Sequence, residues 1–170
     1  MNRMTLPAAL LACLPATLFA QDVPPPVDPR VYEISKASSA ERIEADVRTL
    51  AGFGTRNTLS DTLSETRGIG AARRWIKAEM DRISQGCGGC MEVFTIEAVQ
   101  EGARIPRPVN IVNVVGVIRG TVHPDRYVIM SGDIDSRASN GSDGDVDAPG
   151  ANDNASGMAG VLEAARILTK

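Results

Sequence analysis

The chain has 170 residues, 43% of them hydrophobic and 23% charged, with a formal net charge of −3. That balance excludes a disordered or membrane-embedded chain and fits one globular domain with a core of its own. The acidic excess, with no Lys/Arg cluster larger than Arg73 and Arg74, excludes the basic patch that a nucleic-acid partner requires.

Residues 1–20, MNRMTLPAALLACLPATLFA, begin with Arg3, continue through an apolar core and end at the small Ala20 before the polar QDVPPP. This is the order of a secretory signal, with cleavage expected after Ala20. Pro7 and Pro15 interrupt the run, which is too short for a membrane span of about 20 apolar residues. LLAC, ending at Cys13, loosely resembles a lipoprotein signal, but the apolar stretch before it falls short of the roughly 7 to 15 residues usual there. An exported protein, periplasmic or secreted, is therefore expected. Residues 21–36, with Pro24, Pro25, Pro26 and Pro29, read as an extended linker, because proline removes backbone donors and blocks a helix interior.

From Ala40 to Leu50, Ile43, Val47 and Leu50 recur at helical spacing behind Ser38 and Ser39 as candidate caps, and Gly52 and Gly54 follow as stops. The polar GTRNTLSDTLSETRGIG has no periodicity and reads as a surface loop. Ala72, Trp75, Ile76, Met80 and Ile83 then share one face of a second helix, with Trp75 as core. Beyond it, Cys87 and Cys90 stand in QGCGGCME. After export such a pair closes a small disulfide loop. A thioredoxin-like redox pair would open a helix after a strand, whereas this one follows a helix and precedes a strand. Two cysteines are also too few for a structural zinc site.

Met91–Val99 and Pro108–Gly120 have the alternation and β-branched content of strands, and GTVHPDR is a turn. That turn holds His123, the one histidine of the chain, read as an exposed loop residue. Tyr127–Ser131, YVIMS, reads as a short apolar strand inside a sheet.

The stretch from Ser131 to Gly157 carries Asp133, Asp135, Asp143, Asp145, Asp147 and Asp153 against a single cation, Arg137. Asp, Asn, Gly and Ser are ordinary turn residues, so composition alone fits a solvated turn as well as a cation site. Asp143, Asp145 and Asp147 have the first three spacings of an EF-hand, but Ala148 and Asn154 stand where that loop needs Gly and Glu. A looser calcium site on the same carboxylates stays open. Asp133 and Asp135, two apart at a strand end, point to one side of the chain. Asp153 stands just before NASGMAGVLEAARIL, an amphipathic helix whose N-terminus favours anionic groups. Carboxylates from a strand end and a helix start thus converge at the crevice where open α/β sheets bind ligands.

GDIDSR followed by APGANDNASGMAGVLEAARIL resembles the zinc-dependent exopeptidases of peptidase family M28, which include bacterial leucyl aminopeptidases and, more distantly, glutaminyl cyclases. ERIEADVRTLAGFGTRNT and RGIGAARRWIKAEM resemble the opening of the same family, so the likeness runs from about Ala40 to Lys170. The resemblance implies an α/β fold, a mixed central sheet with helices on both faces, of which this chain holds about three strands and three helices. It implies a metallopeptidase, an aminopeptidase acting on peptides or proteins with two Zn2+ ions. In the family, a Gly-His-x-Asp strand end supplies a histidine ligand and a supporting aspartate, and Pro-Gly-Ala-x-Asp supplies an aspartate bridging both ions. Carried over, Asp153 is the bridging position and Asp135 the supporting one, while Asp133 stands where the family has its histidine. Carboxylate oxygen also ligates zinc, and a more oxygen-rich donor set admits the harder Mn2+ at the Asp133 position.

The family's general base, in a Glu-Glu pair on the strand after the last helix, and its later Asp and His ligands have no counterpart here. We therefore expect residues 37–170 to be the amino-terminal part of a longer catalytic domain, inactive alone. A serine hydrolase would need a Gly-x-Ser-x-Gly elbow and a downstream histidine, and neither occurs. The remaining alternative is a non-catalytic relative that binds a metal ion or a peptide terminus, distinguished by whether the Glu-Glu pair follows in the gene.

Overall fold

A computed structural model describes residues 28–170; the signal peptide expected over 1–20 lies outside the described residues. The elements are α1 (Pro29–Lys36), α2 (Ala40–Gly52), α3 (Gly68–Gly86), β1 (Met91–Gly102), β2 (Ile105–Ile118), a π-helical turn (Ala151–Ala155) and α4 (Ser156–Leu168). This is a mixed α/β chain, as the sequence implies.

The first difference from expectation is α1, since 29–36 is helical where an extended linker is expected. Proline blocks a helix interior but suits the first turn, where its missing N–H has no intrahelical partner to lose. Pro29 takes that place, and the Asp28 carboxylate caps the turn by accepting from the Arg30 N–H at 2.9 Å.

The helix α2 starts as its sequence suggests, with the Ser39 hydroxyl accepting from the Arg42 N–H at 3.2 Å. Its Leu50 joins Ile76, Met80 and Ile83 of α3, Met91 of β1, and Ala155, Met158 and Leu162 around α4 to form the core, and half-buried Trp75 packs against that cluster. Each large side chain withdrawn from water there contributes about 1.5–3 kcal/mol. The α3–β1 connection runs through Gly88 and Gly89 at φ +71° and +85°, a region that favours residues without a Cβ. The Cys87 and Cys90 sulfurs flanking them are bonded to each other.

β1 and β2 form an antiparallel hairpin in register from Met91 opposite Ile118 to Gln100 opposite Val109. The expected third strand, Tyr127–Ser131, has no ladder partner among the described residues, and its apolar side chains face solvent, Val128 being 95% exposed. Apolar, β-prone residues make a strand only when a neighbour's N–H and C=O groups complete the ladder. No helix among the described residues is long and apolar enough to cross a membrane.

A charged network joins the three long helices. Arg166 of α4 donates to Asp46 of α2 at 2.6 and 3.1 Å and to Glu79 of α3 at 2.9 Å. Glu163, one turn earlier on α4, accepts from the Arg42 Nε at 2.9 Å and from the Ser39 N–H at 2.8 Å. Buried ions persist only where partners satisfy them, and each carboxylate here has a cation.

Candidate metal centre

After β2 the chain passes the turn with His123, which is exposed, and reaches Gly132 to Ser136. This segment lies against the start of α4: a Cβ added at Gly132 would stand 2.8 Å from the Gly157 carbonyl carbon and the Met158 nitrogen. Ile134 packs onto the core, and by alternation Asp133 and Asp135 on either side face solvent. Ser136 is buried again, and its hydroxyl accepts from the Arg56 N–H at 2.9 Å and donates to the Ala148 carbonyl at 2.6 Å.

Ala148 brings in the second segment, forming an isolated bridge with Thr55. Gly150 follows at φ +46°, where an added Cβ would lie 2.6 Å from the Ser136 Cβ and 2.5 Å from the Asp153 carbonyl oxygen. Asp153 and Asn154 then leave helical geometry, joined by a cis peptide bond, before α4 begins. The Asp153 carboxylate is exposed, and Ala155 behind it is fully buried. Two segments from opposite ends of the acidic loop are thus fastened side by side, each presenting an aspartate to solvent.

Of the other aspartates of the loop, Asp143 and Asp147 are engaged, while the Asp145 carboxylate, like those of Asp133 and Asp153, has no partner among the described residues. Asp143 accepts from the N–H groups of Asp145 and Val146 at 3.0 and 3.2 Å, and Asp147 pairs with Arg67 at 2.6 Å. Those bonds make Asp143–Asp147 a turn of its own. Asp135 accepts a long bond, 3.5 Å, from the Thr58 hydroxyl.

The loop 55–67 also differs from expectation, because Thr55, Arg56, Asn57 and Ser60 are buried instead of lying on the surface. Their polar groups are satisfied internally: Asn57 Nδ2 donates to the Gly141 carbonyl at 3.0 Å, and the Ser60 hydroxyl accepts from the Ile69 N–H at 2.9 Å. A polar run without periodicity carries no sign of this, since the acceptors come from segments far along the chain.

Residues 113–170, which hold the end of β2, all of these aspartates and α4, match the model of Peptidase family M28. Over this part the chain is similar to peptidase family M28. Among curated proteins, the chain is similar to a probable zinc metalloprotease of Leptosphaeria maculans, 48% identical over 149 residues that make up 87% of this chain and 35% of that protein. A probable zinc metalloprotease of Pyricularia oryzae is 51% identical over 127 residues, 74% of this chain and 25% of that protein. Another, of Pyrenophora teres f. teres, is 44% identical over 157 residues, 92% of this chain and 32% of that protein. The chain spans about a third of the length of the first curated relatives it matches. No solved structure matches it at a significant level.

Within the M28 stretch, Asp133 and Asp153 have neither a cation nor a hydrogen-bond donor among the described residues. Exposed, unspent carboxylates on a locked backbone fit a divalent ion in kind. They fall short in number, because zinc takes about four ligands. Among the described residues no group of three or more His, Cys, Asp or Glu side chains is placed to hold an ion.

Proposed function

We propose that residues 37–170 carry the first part of a two-metal exopeptidase site, in an exported aminopeptidase that acts on peptides or proteins. The observation that carries this reading is the pair of unpartnered, solvent-facing carboxylates, Asp133 and Asp153, on two segments held together inside the M28 stretch. The relatives' names support zinc and proteolysis. Asp153 would hold both ions and Asp133 one of them, with Asp135 supporting. When bound, the ions supply a Lewis acid for the scissile carbonyl and an activated water. The chain's own contribution is placement: Ile134 anchored in the core aims Asp133 and Asp135 outward, and the Gly150 turn with buried Ala155 sets Asp153 ahead of α4.

Asp133 has a consequence for metal choice. It places an anionic oxygen donor where the family has a neutral nitrogen, which favours harder ions such as Mn2+ over Zn2+ at that position. Asp133→His in the complete gene product should shift the Zn2+ to Mn2+ affinity ratio towards zinc by about tenfold or more. Competition calorimetry reads the ratio, and an unchanged ratio removes Asp133 from the ligand set.

Positioned carboxylates without a general base lack a main source of rate. The 170-residue chain alone should therefore give no turnover of amino-acid anilides. The complete gene product should hydrolyse them with added Zn2+ or Mn2+ and lose activity on chelation. Turnover by the repurified 170-residue chain, lost in Asp153→Ala, contradicts the division of the site. A complete product that binds metal without turnover points to the non-catalytic alternative.

A further inference from the structure

We infer that Arg56 is the positioning residue of this site, a buried guanidinium that fixes the segments bearing Asp133 and Asp153 against each other. The inference rests on the metal-site reading above. Arg56 is 0% exposed and heads the largest fully buried side chains. A guanidinium is retained in such a place only if its donors are met. Here they are met by main-chain carbonyls: Nε donates to Ile134 at 2.9 Å, Nη1 to Leu50 at 2.9 Å and Pro149 at 2.7 Å, and Nη2 to Gly150 at 3.0 Å.

The identity of those acceptors decides the role. Ile134 lies between Asp133 and Asp135, Pro149 and Gly150 lead into Asp153, and Leu50 belongs to the last turns of α2. One planar fork therefore reads both ligand-bearing segments and references them to a core helix. The main chain of the same residue repeats the tie: the Arg56 N–H donates to the Ser136 hydroxyl, and the Ser136 N–H donates to the Arg56 carbonyl at 3.3 Å. A residue serving only as filler would be apolar, and one serving only as a charge would sit against a carboxylate. Lysine keeps the charge but concentrates its donors at one nitrogen, so it cannot span these four carbonyls. Geometry and charge are therefore separable by experiment.

The experiment titrates Zn2+ calorimetrically into the complete gene product and its variants, with the Tm of each metal-free protein measured alongside. Arg56→Lys should bind Zn2+ about tenfold or more weakly, the usual loss when a residue orienting metal ligands is changed. Ile76→Val, a core change on α3, should lower Tm and leave Zn2+ affinity as in wild type. Asp153→Ala should lose binding. Arg56→Lys within twofold of wild type, with Asp153→Ala defective, overturns the positioning role and leaves the metal site standing. Asp153→Ala binding like wild type overturns the metal site and this inference with it. Equal losses of affinity in Ile76→Val and Arg56→Lys assign the effect to global stability and overturn it too. If Arg56→Lys does not fold, Ser136→Ala removes the hydroxyl that links the Arg56 N–H to the Ala148 carbonyl while leaving the main-chain bond to Arg56 in place. It should weaken Zn2+ about threefold or more, and unchanged affinity there contradicts the role.

Discussion

Arg166→Met should lower the unfolding free energy by about 3–5 kcal/mol, the cost of removing one partner from a buried ionic group. Arg166 is 13% exposed and its partner Asp46 is 8% exposed, so little water reaches either. The remaining partners show where the loss concentrates. Glu163 keeps Arg42, and Glu79 keeps Arg82, whereas Asp46 is left buried without a cation. The urea midpoint at pH 7 measures the loss; a change below about 1 kcal/mol would place the network among surface pairs of small worth.

The pH dependence follows from the same groups. The Arg42 hydrogen bond, the leading cause, holds the Glu163 carboxyl below the usual carboxylate range. Burial pushes Glu79 up, but its bonds to Arg82 and Arg166 outweigh that and leave it lowered as well. A carboxyl lowered by folding contributes stability that is complete above its unfolded value, near 4.3, and is lost as pH falls through the folded value. The wild-type midpoint should therefore be flat above about pH 5.5 and fall in acid, while the gap to Arg166→Met narrows there.

The helices α2, α3 and α4 were legible because their apolar residues recur at the helical period and bury one face, as Leu50, Ile76 and Leu162 do. The two strands were legible from their alternation and the β-branched content of Val109 to Val117, but their antiparallel pairing into a hairpin was not. Tyr127–Ser131 was not, because its composition describes a strand while a ladder needs a neighbour. The helix α1 was hidden by reading Pro29 as a breaker when it serves as a first-turn residue. At the site, the two ends of the acidic loop carried the aspartates in a recognisable pattern, and the structure brings their segments together. Arg56 and Ser136 carried no local signal, since their partners lie about eighty to ninety residues away in the chain.

The most direct test of the account is the metal content of the complete gene product after equilibration with Zn2+ and gel filtration, compared between wild type and Asp153→Ala. If Asp153 bridges the ions, wild type should retain about two per chain and the variant fewer than one, with anilide hydrolysis reduced about a thousandfold or more. An Asp153→Ala protein that retains both ions and wild-type turnover would contradict the assignment of this loop as the metal centre.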